Sequence, residues 1–151
     1  MKRQLAGHQS YDYARGVIKG EIEAPKYVIK QCEEFIKICD GASDKYFLDE
    51  EKLQQIDKVL KMLVMPRGLK AGCSIYECSC GYQWLFYAAI LCVVHKGNPD
   101  RRRYETAILE IARKNFKTFT IATIFVLLFF VGTKIQQVLF GGSRWGFVAR
   151  S

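Results

Sequence analysis

Apolar residues at Tyr27, Val28, Cys32, Phe35, Ile36 and Cys39 recur close to i, i+4, i+7, i+8, which predicts an amphipathic helix. Pro25 suits its first turn and Gly41 its end. The stretch LDEEKLQQIDKVLKMLV predicts a second helix. Asp49, Glu50 and Glu51 place negative charge at its start, where the helix dipole favours it, and Pro66 and Gly68 stop it. MPRGLKAGCSIYECSCG reads as a turn-rich connector. YQWLFYAAILCVVHKGNPD is apolar nearly all round and reads as a buried helix ending at Gly97, Asn98 and Pro99. RRRYETAILEIA is short and rich in branched residues, as expected of a strand covered on both faces, placed at 106–111. The basic turn ARKNFKTFT comes next, and a second all-apolar helix is expected over 117–131. The tail GTKIQQVLFGGSRWGFVARS has no clear period, and the chain carries no internal repeat.

Charge changes this picture more than length does. The formal net charge is +8, with the excess in the second half at Arg101, Arg102, Arg103, Arg113, Lys114 and Lys117. Such a balance suits a polyanion, whether nucleotide, nucleic acid or anionic lipid. The six cysteines do not imply a disulfide framework, because the opening MKRQLAGHQSYDYARG has no apolar leader and a reducing cytosol is the simpler context. Cys73, Cys78 and Cys80 form C-x4-C-x-C, which lacks the paired spacing of a zinc ribbon. Ordinary buried or free thiols are therefore expected.

The basic turn admits two readings. Lys117 and Lys134 bracket sixteen residues, four of them threonines, which is short for a spanning helix of about 20 apolar residues. Upstream basic residues fit the flank of such an anchor, which leaves a small single-pass membrane protein with a basic cytosolic domain as one reading. The other takes strand, tight basic turn and helix as a phosphate site. There the helix N–H groups hold an anion, Lys117 reaches the outer phosphates and the Thr118 hydroxyl meets a magnesium ion held by the nucleotide. Against G-x-x-x-x-G-K-[ST] the chain has Ile111 and Phe116 at the glycine positions. Glycine there allows positive φ, so a Phe implies strain or a different loop path.

Three separated segments carry a resemblance. They are YDYARGVIKGEIEAPKYVIKQCEEF with Tyr13, Ala14, Val17, Gly20 and Cys32, then SIYECSCGYQWLFYAAIL, then RKNFKT at 113–118. In this order they resemble the N-terminal part of the large subunit of tailed-bacteriophage terminase, over most of residues 10–131. The third segment is similar to the family's deviant phosphate loop, R-K-x-G-K-[ST], except at Phe116.

The resemblance implies a helix-rich α/β fold: a helical N-terminal region of an ATPase domain over 1–100, then an incomplete P-loop unit of strand, basic loop and helix over 101–131. It implies ATP and magnesium as cofactors. Arg113, Lys114, Asn115, Lys117 and Thr118 would lie around the phosphates, and Gln83 near the base. In the full-length relative it implies an ATP-driven motor and nuclease that packages viral DNA. Its partners would be double-stranded DNA, the terminase small subunit and the portal, in the cytoplasm of a bacterial host and without a membrane.

An acidic Walker B pair and nuclease carboxylates are not found after residue 131. The chain thus resembles the front of such a subunit, and phosphoryl transfer by it alone is not expected. One legal set of codons for GTKIQQVLFGGSRWG, read one base later, spells EPKFSKFYSVAPDG, which is similar to the polar connector and strand that come after this helix in the family. Residues 132–151 are accordingly expected to be an out-of-frame tail on a truncated product.

Overall fold

The computed structural model describes residues 5–66, 71–110 and 116–131. In chain order the elements are α1 (Gln9–Ile18), α2 (Lys26–Cys39), β1 (Tyr46–Leu48), α3 (Glu50–Met62), α4 (Ile75–Cys78), α5 (Gly81–Cys92), β2 (Val93–His95), β3 (Asn98–Arg102) and α6 (Lys117–Val131). The fold is a helix-rich mixture of helices with one small antiparallel sheet, ordered β1-β2-β3. The out-of-frame tail expected at 132–151 lies outside the described residues.

Each helix starts and stops for a local reason. The His8 ring caps α1 by accepting the Ser10 N–H, and Gly20, at φ 76°, turns the chain away from it. The helix α2 begins after Pro25 and ends in a left-handed Gly41 at φ 75°. There the Ala42 N–H reaches the Lys37 carbonyl at 2.9 Å and the Gly41 N–H reaches Ile38 at 3.0 Å, satisfying carbonyls the helix leaves open. Its buried face is Cys32, Phe35, Ile36 and Ile38, while Tyr27 is 81 % exposed, so the stripe is rotated from the one expected. The Asp49 carboxylate caps α3 by accepting the Lys52 N–H at 3.1 Å.

The helix α5 lies at the centre, packing on α1, α3 and α6. Its Trp84, Tyr87, Ala88, Leu91 and Cys92 are all at most 1 % exposed. Being surrounded explains why its sequence is apolar on every side. The close approach to α1 is made at Gly81, where an added Cβ would lie 2.3 Å from Tyr13 Cδ2 and 3.0 Å from Tyr13 Cβ. Because the obstruction includes an atom next to the α1 backbone, swinging the ring away does not relieve it. Gly81→Ala is expected to destabilise the fold by about 1–3 kcal/mol, read from urea unfolding. An unchanged midpoint would mean that α1 and α5 are not in this contact.

Two expectations fail here. The apolar helix stops at Cys92 instead of running to Gly97, because Val93 and Val94 are β-branched and pair as β2 with β1, Val93 opposite Leu48 and Val94 opposite Phe47. The strand expected at 106–111 is not formed over 106–110, and Ile111 is outside the described residues. Exposure does alternate there, with Thr106, Ile108 and Glu110 exposed and Ala107 and Leu109 half-buried. A strand also needs a neighbour to take its N–H and C=O groups, and among the described residues no strand pairs with it. The extended pairing occurs earlier, in the β2–β3 hairpin, whose outer strand is mostly exposed and not covered on both faces.

The helix α6 buries Thr120, Thr123, Leu127 and Val131 as one stripe and packs on α3 and α5. Its other side is apolar and open, with Phe129 68 % and Phe130 63 % exposed. Among the described residues, no helix is long and apolar enough to cross a membrane.

Candidate functional site

The basic turn meets α6 at Phe116. This is the one non-glycine residue with positive φ among the described residues, at φ 54°. Its carbonyl accepts the Thr120 N–H at 2.8 Å, so it stands at the cap position of α6. A Phe side chain offers no oxygen to the first N–H groups of the helix, which have no intrahelical acceptor of their own. Lys117 and Thr118 open the helix and are both exposed. A helix dipole, N–H groups without an intrahelical acceptor, one ammonium and one hydroxyl at a single point make a place for an anion.

The left-handed backbone falls at the position where G-K-[ST] has its last glycine. For an L-residue that conformation costs about 1–2 kcal/mol, while glycine brings a backbone-entropy cost of about 0.5–1 kcal/mol. The Phe116 ring is 57 % exposed, and its edge contact with Phe119, centroids 6.5 Å apart, is loose. Phe116→Gly is therefore expected to raise stability by roughly 0.5–1 kcal/mol, seen as a higher melting temperature. A lower one would mean that residue 116 is not held left-handed.

Gln83, the other described member of the expected site, lies on the third turn position of α5 and is 3 % exposed. Its Oε1 accepts the Cys80 N–H at 2.8 Å, and its Nε2 donates to Thr120 Oγ1 at 2.7 Å. The structure thus brings Gln83 to the first turn of α6, through Thr120, which sequence reasoning did not single out. The usable signal was Thr120 and Thr123 in a helix that is otherwise apolar after Lys117 and Thr118. The Tyr82 and Tyr87 hydroxyls also face Thr120. Burial pushes the Tyr87 phenol up to about 12, against a smaller opposite pull from Thr123, Thr120 and Ser79. Arg113, Lys114 and Asn115 lie outside the described residues.

The arginine run upstream is engaged only in part within the fold. Arg103 pairs with Glu34 and lies between the Tyr46 and Tyr104 rings, at 4.6 and 4.8 Å from their centroids. Arg101 pairs with Glu105 at 2.9 Å, and burial lowers the pKa of Arg102. Arg103 thus fastens the end of the β2–β3 hairpin to α2 and β1, which leaves fewer free cations for a polyanion than the sequence suggested.

One array has the atom order of a nucleophile, base and orienting acid: Ser10 Oγ lies 2.8 Å from His8 Nδ1, and His8 Nε2 lies 3.1 Å from Asp57 Oδ1. Ser10 is 0 % exposed, and its N–H donates to the same Nδ1. The array is a helix cap that ties α1 to α3.

Among the described residues, no three His, Cys, Asp or Glu side chains converge as a metal site. In the C-x4-C-x-C run, Cys78 is buried while Cys73 and Cys80 are exposed. Burial pushes the Cys32 thiol up to about 11 and the Cys39 thiol up to about 12, with Glu33 and Asp40 adding to the respective shifts, and it raises Cys92 further. At pH 8, iodoacetamide is expected to label Cys73 and Cys80 well before Cys32, Cys39 and Cys92, resolved by peptide mass spectrometry. The folded thiols keep their protons above the pH at which the unfolded ones lose them. Their stabilising effect is thus complete below about 9 and lost as pH rises through 11 to 12.

Comparison of the chain with family models, curated proteins and solved structures gives no match.

Proposed function

We propose that this chain carries the N-terminal part of the ATPase of a phage terminase large subunit, and that the start of α6 is its nucleotide-phosphate site. The observation that carries the reading is Phe116 at φ 54°, immediately before Lys117 and Thr118. The backbone takes the conformation that a glycine would take in a phosphate loop, although the residue is not glycine. The order of the three resembling segments supports the same reading. So does the open apolar side of α6, which suits a helix meant to be covered by further sheet strands of a larger domain.

In this reading Lys117 meets the outer phosphates, and Arg113, Lys114 and Asn115 flank them. Thr118 supplies a hydroxyl to magnesium carried by the nucleotide, since one hydroxyl alone does not bind the ion. ATP supplies the energy for moving double-stranded DNA in the full-length relative, together with its small subunit and portal, in the host cytoplasm. Residues 132–151 are read as an out-of-frame tail, and the chain by itself as inactive in hydrolysis.

The test is binding of Mg·ATP by this chain, followed by calorimetry or a fluorescent ATP analogue. Saturable binding competed by tripolyphosphate is expected. Binding of DNA with no binding of nucleotide would instead leave a polyanion-binding protein. The membrane-anchor reading has one observation in its favour, the exposed Phe129 and Phe130. It is the better one if the chain, expressed at low level without aggregates, is recovered only from detergent-extracted membranes.

A further inference from the structure

We infer that Gln83 positions the phosphate end of the site and does not read the base, an inference that rests on the nucleotide reading above. The residue is 3 % exposed and both ends of its carboxamide are held. The Cys80 N–H can only donate, so the carboxamide atom 2.8 Å from it is the oxygen. The nitrogen therefore points to Thr120 Oγ1, at 2.7 Å. A hydroxyl that accepts there still has its one hydrogen to give, and Thr120 gives it to the Phe116 carbonyl at 2.9 Å. The Thr120 N–H donates to that same carbonyl at 2.8 Å. A directed line of hydrogen bonds thus runs from the cap of α5 to the one left-handed non-glycine residue among the described ones.

That line has a mechanical consequence. A strained backbone persists only where its surroundings over-determine it. Here the Phe116 carbonyl is fixed by two donors on Thr120, and the Thr120 hydroxyl is oriented by Gln83. If Gln83 no longer donates, the hydroxyl can turn toward the Tyr82 and Tyr87 oxygens that also face it, Phe116 relaxes toward negative φ, and the N–H groups of Lys117 and Thr118 point elsewhere. Reaching a base would require Gln83 to give up both the Cys80 N–H and its bond to the fully buried Thr120 hydroxyl, and to leave a position where it is 3 % exposed. Effects on phosphate affinity are therefore expected to be independent of the base.

Gln83→Glu is the informative variant, because its carboxylate still caps Cys80 but accepts from Thr120 instead of donating to it. Thr120→Val removes the hydroxyl at similar volume, and Thr120→Ser is the control that keeps it. Affinities for Mg·ATP, Mg·GTP and tripolyphosphate are measured by calorimetry, with folding checked by circular dichroism. Gln83→Glu and Thr120→Val should each weaken all three ligands alike, by about 10-fold. The double variant should be no weaker than the worse single one, because both break one line. Adding Phe116→Gly should restore affinity, since glycine holds positive φ without help; a merely structural role for Gln83 would not be rescued in this way. A change in the ATP to GTP ratio with tripolyphosphate unaffected would make Gln83 a base reader and overturn the inference while leaving the nucleotide reading intact. Unchanged affinity for all three ligands would overturn it too. A wild-type chain that binds none of the three overturns the nucleotide reading, and the inference with it.

Discussion

Lys117→Ala is expected to weaken binding of Mg·ATP and of tripolyphosphate by about 10- to 100-fold, the worth of one charge-assisted hydrogen bond of about 1.5–3 kcal/mol. Lys117 is exposed at the first position of α6 and has no ion-pair partner among the described residues, so its removal leaves no buried group stranded. The fold should accordingly be unaffected, with a melting temperature close to that of the parent chain. Lys117→Arg keeps the charge but not the compact ammonium, and a partial loss is expected. A change of less than about twofold for Lys117→Ala would remove this residue from the phosphate site. If the proposed terminase reading holds, the same substitution in a full-length protein should abolish ATP hydrolysis, because phosphoryl transfer depends on positioned charge.

Trp84→Ala is expected to cost about 3–5 kcal/mol, a large part of the 5–15 kcal/mol that holds a typical domain together. The indole is 0 % exposed at the centre of α5, edge-on to His8 at 5.2 Å, to Tyr76 at 5.0 Å and to Tyr87 at 6.4 Å between centroids. Its removal opens a cavity beside His8, Tyr76 and Tyr87 that the three rings cannot fill without leaving their own contacts. Trp84→Phe should cost much less. The indole Nε1 has no hydrogen-bond partner among the described residues, so replacing it by an apolar ring also removes an unsatisfied buried N–H. Urea unfolding followed by circular dichroism separates the two variants. Equal losses would show that the cavity is not what matters at this position.

Local chemistry written in neighbouring residues is legible in the sequence alone. The helix expected over 117–131 appears as Lys117–Val131, and the acidic start of α3 holds its cap at Asp49. Gly41 ends α2 with positive φ, as a residue without Cβ allows. The helix-rich α/β class that the resemblance implied agrees with the observed helices and small sheet, although the three strands lie elsewhere than the one expected at 106–111.

Where a segment's state depends on a distant partner, the one-dimensional pattern was ambiguous. Val93 and Val94 continue the apolar run of α5, and only pairing with Tyr46–Leu48 makes them a strand. Residues 106–110 have the composition and alternation of a strand but no neighbour among the described residues to pair with. Periodicity reports which face of a segment is buried, whereas hydrogen bonding between strands is decided by what lies beside it.

The site divides in the same way. Lys117 and Thr118 were readable as a pair at a helix start because their relation spans one peptide bond. The left-handed state of Phe116, and the line from Cys80 through Gln83 and Thr120 that holds it, depend on a hydrogen bond between residues 37 positions apart in the chain. Only the packing of α5 on α6 sets their distances, because a hydrogen bond requires two polar atoms within about 3 Å and sequence spacing places no such limit on residues in different elements.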